Sequence, residues 1–330
     1  MHRDRLNRAC DENSRNENTC GNNTCGKNSC GENSKRRRIS PRIFIQIASA
    51  VLFNGYFAGF TGKKLYSGPL KAVCVPVLNC YSCPGALGAC PIGSLQAVLN
   101  HKRFPFYVLG TLMLFAVIFG RIACGLLCPF GFLQDILSKI PHPTLKKRPV
   151  TLEKADHAAR YLKYAVLVML VFVLPAFGAD ENGVLLPWFC KYLCPAGTLE
   201  GGVFQMILQP DLRKLAGALF NWKMGVLIAI IVMSVFIRRP FCRYLCPLGA
   251  IYSLFNKFSF YRMSVDDSKC VGCGKCERVC PMTVDVTHNI NSGECIRCGR
   301  CREVCPTGAI TSGFREQQSE NKTVERQEAA

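Results

Sequence analysis

Four stretches of this chain, residues 43–61, 104–120, 164–179 and 224–237, carry no charged side chain. Each borders on lysine or arginine: Lys35-Arg36-Arg37-Arg38 lies ahead of the first, and Arg238-Arg239 follows the fourth. A helix rising about 1.5 Å per residue needs roughly 17 to 25 apolar residues to cross the hydrocarbon core of a bilayer. The first two runs just meet that length. The last two are shorter, and span only if Trp222 and Lys223 sit in the interface and flanking cations reach out to it. The runs predict a mainly α-helical membrane chain with about four transmembrane helices; the competing reading is a set of buried helices in a water-soluble protein. A positive mean hydropathy of +0.15 excludes disorder throughout. The net charge of +19 comes from 41 Lys+Arg against 22 Asp+Glu. These cations flank apolar runs and form no single stripe, so no nucleic-acid partner is expected.

The same cations orient the spans. Three groups fall on one side if four helices alternate: the basic amino-terminal tail, Lys146, Lys147, Arg148, Lys154 and Arg160 in segment 139–163, and Arg238, Arg239 and Arg243. By the positive-inside rule that side is the cytoplasm. The expectation is a multi-pass protein of the cell membrane with its amino terminus inside. Residues 61–103 run against the pattern, holding Lys63, Lys64, Lys71, Lys102 and Arg103 with no acid. Residues 1–40 are polar, with Cys10 followed by near-repeats at Thr19-Cys20-Gly21, Thr24-Cys25-Gly26 and Ser29-Cys30-Gly31. A disordered tail is expected there, with a metal-binding repeat as the alternative. Residues 315–330 read as a second disordered tail, leaving a membrane domain at 41–261 and a cysteine-rich domain at 262–314.

That last domain contains Cys270-x2-Cys273-x2-Cys276-x3-Cys280-Pro281 and then Cys295-x2-Cys298-x2-Cys301-x3-Cys305-Pro306. Three thiolates at two-residue gaps wrap one corner of a cubane, and Gly272, Gly274 and Gly299 let the backbone approach it. Where two such runs occur together, the fourth cysteine of each ligates the other cluster. Cys270, Cys273, Cys276 and Cys305 are therefore expected on one [4Fe–4S] cluster, and Cys295, Cys298, Cys301 and Cys280 on a second. Zinc held by paired Cys-x2-Cys is the alternative, and the doubled spacing weighs against it. Over roughly fifty residues the segment resembles the bacterial two-cluster ferredoxin, a small α+β unit expected to be separable from the rest.

A second pattern lies beside the apolar runs. Cys124-x3-Cys128-Pro129, Cys190-x3-Cys194-Pro195 and Cys242-x3-Cys246-Pro247 each continue as x-Gly. A degenerate relative holds Cys80, Cys83 and Cys90-Pro91, with Ala86 where the first cysteine would stand. Proline suits the first turn of a helix, which puts the second cysteine at the cap. There the helix end would stabilise an anionic cluster. Topology sorts the motifs: Cys124, Cys128, Cys242 and Cys246 lie at the inner face, enough thiolates for one cluster, and Cys80, Cys83, Cys90, Cys190 and Cys194 lie outside. The membrane domain thus reads as a tandem two-helix repeat with ligands shared between halves. For the outer cysteines a disulfide set competes with a cluster, and Cys74 has no assignment.

Other chemistry is sparse. The five histidines show no haem spacing, and no Gly-x-Gly-x-x-Gly opens a helix. The combination of motifs resembles the NapH, NosR and MauN group of membrane polyferredoxins over about residues 40 to 314. The resemblance implies ligation by Cys124, Cys128, Cys242, Cys246 and the eight ferredoxin cysteines. It also implies electron passage between a quinol or a cytoplasmic donor such as ferredoxin and an extracytoplasmic flavoprotein or reductase. The third motif and its degenerate fourth depart from the two usual in that group, and the outer flavin-binding domain of NosR has no counterpart here. The expected function is electron transfer through [4Fe–4S] clusters, two in the ferredoxin domain and one or two in the membrane domain. Cysteine acts as ligand, with no catalytic residue. A quinol dehydrogenase and a redox-sensing or maturation factor are the alternatives.

Overall fold

The computed structural model describes residues 41–59, 66–140, 156–178, 185–209, 211 and 216–314. The amino-terminal cysteine repeats, the carboxy-terminal tail and Lys146, Lys147, Arg148 and Lys154 lie outside the described residues.

Each uncharged run becomes a helix: α1 (Pro41–Phe53), α3 (Phe106–Phe119), α5 (Asp156–Phe177) and α7 (Ala218–Phe236). Of these, α5 and α7 are long and apolar enough to cross a membrane by length and composition. The expected first span ends early, because Asn54 folds its amide back onto the Ala50 carbonyl at 3.2 Å and Gly55 follows. So α1 and α3 have only 13 and 14 residues. Large apolar side chains lie on the surface, and several polar ones lie inside beside the apolar core. Phe44, Leu52, Phe106, Leu114, Phe177, Ile228 and Phe236 are exposed, while Arg42, Gln46, Gln96, Asp135, Lys163 and Arg239 are buried.

Between the long helices run shorter ones that begin directly after Cys-Pro: α2 (Pro91–Asn100), α4 (Pro129–Leu137), α6 (Gly197–Val203, continuing as Phe204–Leu208) and α8 (Pro247–Phe255). Cys90, Cys128 and Cys246 cap their helices in extended backbone, with proline at the first helical position, where its missing N–H costs nothing. The preceding turns Ala123–Leu127 and Phe189–Leu193 are wide π turns, a geometry common at functional sites. The two halves interlock: α4 packs on α1 and α7, α3 on α2 and α8, and α2 against the end of α5.

Residues beyond α8 form a small unit closed by two antiparallel strands, β1 (Tyr261–Val265) and β2 (Ile310–Phe314), paired from Tyr261↔Phe314 to Val265↔Ile310. Between them lie the short helices α9 (Lys275–Val279) and α10 (Arg300–Val304). Gly274 and Gly299 precede these helices at φ +64° and +75°, a backbone that suits glycine. The chain is mainly helical with this one small sheet.

The unit sits directly on the face carrying Cys124. A Cβ on Gly125 would stand 2.2 Å from the Ile296 carbonyl oxygen. Glu294 takes both Arg121 and Lys163, and Asp135 of α4 gathers Arg42, Arg239 and, at 3.8 Å, Arg300 of α10. Asn256 donates to the Ser292 and Cys295 carbonyls at 2.6 and 3.1 Å. Two of the basic residues expected to act as topology signals, Arg239 and Arg243, are buried, as are Arg121 and Lys163.

Candidate iron–sulfur centres

In the two-stranded unit the eight cysteines separate into two groups. Cys270, Cys273, Cys276 and Cys305 line one cavity. Cys280, Cys295, Cys298 and Cys301 line another, beside Met263 and Met282. Each group takes three cysteines from one run and the fourth from the other, because α9 and α10 pack side by side and carry the two run ends past each other. The Val284 N–H donates to Cys280 Sγ at 3.4 Å.

Cys124, Cys128, Cys242 and Cys246 line a third cavity, together with Arg121, Phe130, Phe241 and Gly249. This inner quartet draws two thiols from each half of the membrane part. Gly131 N–H donates to Cys128 Sγ and Gly249 N–H to Cys246 Sγ, both at 3.4 Å. Gln134 Nε2 donates to Cys242 Sγ at 3.3 Å, while its Oε1 accepts from the Phe241 N–H at 3.2 Å.

The outer cysteines repeat this arrangement. Gly197 N–H donates to Cys194 Sγ and Gln96 Nε2 to Cys190 Sγ, each at 3.3 Å, and Gln96 Oε1 accepts from the Phe189 N–H at 3.1 Å. A Cβ on Gly197 would stand 3.6 Å from both Cys194 Sγ and Cys80 Sγ. Cys194 lies within Coulombic reach of Cys190, Cys80 and Cys90. Cys83 faces Glu200 and Cys80 instead. Cys80, Cys90, Cys190 and Cys194 thus act on one another, and Cys83 joins them through Cys80. Glu200 is buried and accepts from the Cys80 N–H at 2.7 Å.

Sequence reading missed the residues that orient these thiols. Six positions after each capping cysteine stand Gln96, Gln134, Glu200 and Tyr252, each in the pattern Cys-Pro-x-Gly-x-x-polar. Gln96, Gln134 and Glu200 reach across to the motif of the other half. Tyr252 donates to the Pro76 carbonyl at 3.0 Å and lies within Coulombic reach of Cys124, Cys128 and Cys90. The fixed six-residue offset was visible in the sequence, and a search that stopped at Cys-Pro-x-Gly passed over it.

Several features fit these groups to an anionic iron–sulfur cluster. Every described cysteine is a free thiol, and among the described residues no three Cys, His, Asp or Glu side chains converge tightly enough for one metal ion. The quartets ring cavities, a spacing that suits a polynuclear cluster better than zinc. Burial pushes the Cys128 and Cys301 thiols up to about 12 and Cys295 to about 11. Without iron these three thiols are therefore held protonated, and loading releases their protons. At the inner cavity Nε and Nη2 of the fully buried Arg121 have no hydrogen-bond partner among the described residues. An anion in that cavity would satisfy them.

Family comparison decides the class. A 4Fe-4S dicluster domain matches residues 262–306, and a 4Fe-4S binding domain matches three times, at residues 104–148, 184–216 and 219–262. This chain is a polyferredoxin-like iron–sulfur protein. It binds [4Fe–4S] clusters and is similar to ferredoxin-type electron-transport proteins. It is 25% identical to the ferredoxin-type protein NapH of Haemophilus influenzae over 74% of this chain and 73% of that one. It is 29% identical to the methylamine utilization ferredoxin-type protein MauN of Methylobacillus flagellatus, over 49% of this chain and 48% of MauN. An uncharacterized protein of Methanocaldococcus jannaschii shares 34% identity over 53% of this polyferredoxin-like chain, which spans 57% of that relative's length. No solved structure matches. The three matches of the binding domain contain the three full Cys-x3-Cys-Pro motifs, and Cys80, Cys83 and Cys90 fall outside them.

Proposed function

We propose that this polyferredoxin-like chain is a multi-pass membrane electron carrier whose four cysteine quartets form one continuous line. The observation that carries this reading is that Cys124, from the inner quartet, packs on the same small core of Met282, Val284 and Ile296 as Cys280, Cys295 and Cys298 of the ferredoxin unit. On the other side, Tyr252 and residues 76–80 join the inner cavity to the outer quartet. [4Fe–4S] clusters bound by the quartets supply one-electron transfer. The chain's own residues hold the thiols at matched depth, donate N–H groups to sulfur, and exclude water with Phe130, Phe241 and Phe189, all buried.

The exposed apolar side chains of α1, α3, α5 and α7 support a lipid-facing belt and four membrane crossings. The ferredoxin unit stands on the arginine-rich face, which the positive-inside rule makes cytoplasmic. Its Cys270 group exposes Cys273 and Val271, a surface suited to a cytoplasmic donor such as ferredoxin. An extracytoplasmic flavoprotein or reductase would then engage near the outer quartet. A second reading, quinol oxidation, is favoured by one observation: a cavity lined by Tyr81, Asn100, His101 and Leu185 opens against Cys190. Under that reading alone, a quinol added to the purified protein reduces its clusters.

Anaerobic iron and sulfide analysis of the purified full chain tests the line of quartets. Four clusters give about sixteen irons per chain. About eight irons, all retained when Cys246 is replaced by alanine, would leave the membrane quartets without clusters.

A further inference from the structure

The two membrane quartets share one set of hydrogen bonds but not one charge environment. Arg121 and Arg239 stand three residues ahead of Cys124 and Cys242. Both are fully buried. Arg121 lines the inner cavity, with Nη2 3.1 Å from the place a Gly249 Cβ would occupy, and lies within Coulombic reach of Cys124, Cys242 and Cys246. Arg239 donates from Nη1 to the Cys124 carbonyl at 2.6 Å. The acids that face these cations are shared: Arg42, Arg239 and Arg300 converge on Asp135, and Arg121 and Lys163 on Glu294. Cations outnumber carboxylates around the inner quartet.

Around the outer quartet the cation excess is smaller, and no fully buried arginine stands there among the described residues. Three residues ahead of Cys190 stands Pro187, and three ahead of Cys80 stands Val77. The buried ionisable group there is Glu200, on the Cys80 N–H. Lys71 and Lys223 act on this group from half-buried positions.

Reduction adds a negative charge to a cluster, and buried cations stabilise that charge strongly because the local dielectric is low. Cluster potential follows net charge, hydrogen bonds to sulfur and solvent exposure. Both quartets have a glutamine and a glycine donor to sulfur at 3.3 to 3.4 Å, and Gly131 adds one more at the inner quartet. The other differences are the cavity beside Cys190 and charge, and the charge difference is the one carried by fully buried groups. We propose that Arg121, assisted by Arg239, sets the potential of the inner membrane centre above that of the outer one, so that an electron shared between them rests on the inner centre. This rests on the reading that both quartets hold clusters.

Redox-titrated EPR of the full, cluster-loaded protein tests the order. The inner signal is the one lost in Cys246→Ala, and the outer signal the one lost in Cys194→Ala. Absence of either loss defeats the underlying reading and not the ordering. With both assigned, the inner midpoint is expected to lie above the outer. Arg121→Gln is expected to lower the inner midpoint and leave the outer unmoved, and Arg121→Lys to restore most of the shift. Coincident or reversed midpoints, or an inner midpoint unchanged in Arg121→Gln, would overturn the proposal. Should Arg121→Gln lose the inner cluster, the order of midpoints in the unsubstituted protein decides alone.

Discussion

At the inner quartet α4 presents Gln134 to Cys242, and at the outer quartet α2 presents Gln96 to Cys190, each at 3.3 Å. The helix of one half thus orients the first cysteine of the other half in both places. The surroundings then diverge. The inner quartet is sealed by the ferredoxin unit and ringed by buried arginines, whereas the outer quartet has Glu200 and an adjacent cavity. The comparison separates two tasks within one duplicated motif. Cys-Pro-x-Gly and its polar sixth residue place the thiols, and the residues ahead of the first cysteine set the charge.

The largest expected contrast lies within the outer group. Cys80→Ala should remove about one cluster, near four irons per chain, while Cys83→Ala should keep the full iron content. Equal losses would break the placement of Cys80, and not Cys83, in the outer quartet. Next comes Glu294→Gln at the inner face. It leaves Arg121 and Lys163 buried without their carboxylate, a change costing about 3 kcal/mol. Limited proteolysis should then release the ferredoxin unit at lower denaturant than in the unsubstituted protein. The Asp135 part of the inner face should hold steady across neutral pH. Burial alone would raise the Asp135 carboxyl, but Arg239 and Arg42 outweigh it and hold it at about 2. Its contribution is therefore complete above the ordinary carboxylate range near pH 4 and is lost only as pH falls towards 2. Smallest are Gln134→Leu and Gln96→Leu, each removing one N–H···S bond worth about 1 kcal/mol. Redox titration should show modest downward shifts of similar size at the two centres, and unequal shifts would show that the matched geometry is not matched chemistry.

Much of this was legible in the sequence. The doubled cysteine runs predicted both ferredoxin groups residue by residue, and the cavities gather those same residues, Cys305 with Cys270 and Cys280 with Cys295. Spacing sufficed because each group is mostly local in the chain. The Cys-Pro pairs likewise fixed where α2, α4 and α8 begin. Long-range contacts were not legible. Which of Cys80 and Cys83 faces Cys194 depends on the turn at residues 80–86, where Cys83 N–H bonds the Cys80 carbonyl at 3.0 Å. The burial of Arg121 and Lys163 depends on Glu294, more than a hundred residues away. Charge counting in a single sequence cannot distinguish a snorkelling cation from one buried under a docked unit. For that reason the separability expected of residues 262–314 has to contend with an interface holding Arg297, Asn256 and Glu294.

Sharing of the inner quartet between the two halves is tested most directly by iron analysis of Cys124→Ala, Cys246→Ala and the double substitution, each purified anaerobically as the full chain. The four thiols lining one cavity predict that each single change removes about four irons, one cluster, and that the double change removes no more than either alone. A double variant that loses about eight irons would place the two motifs on separate centres and contradict the shared quartet.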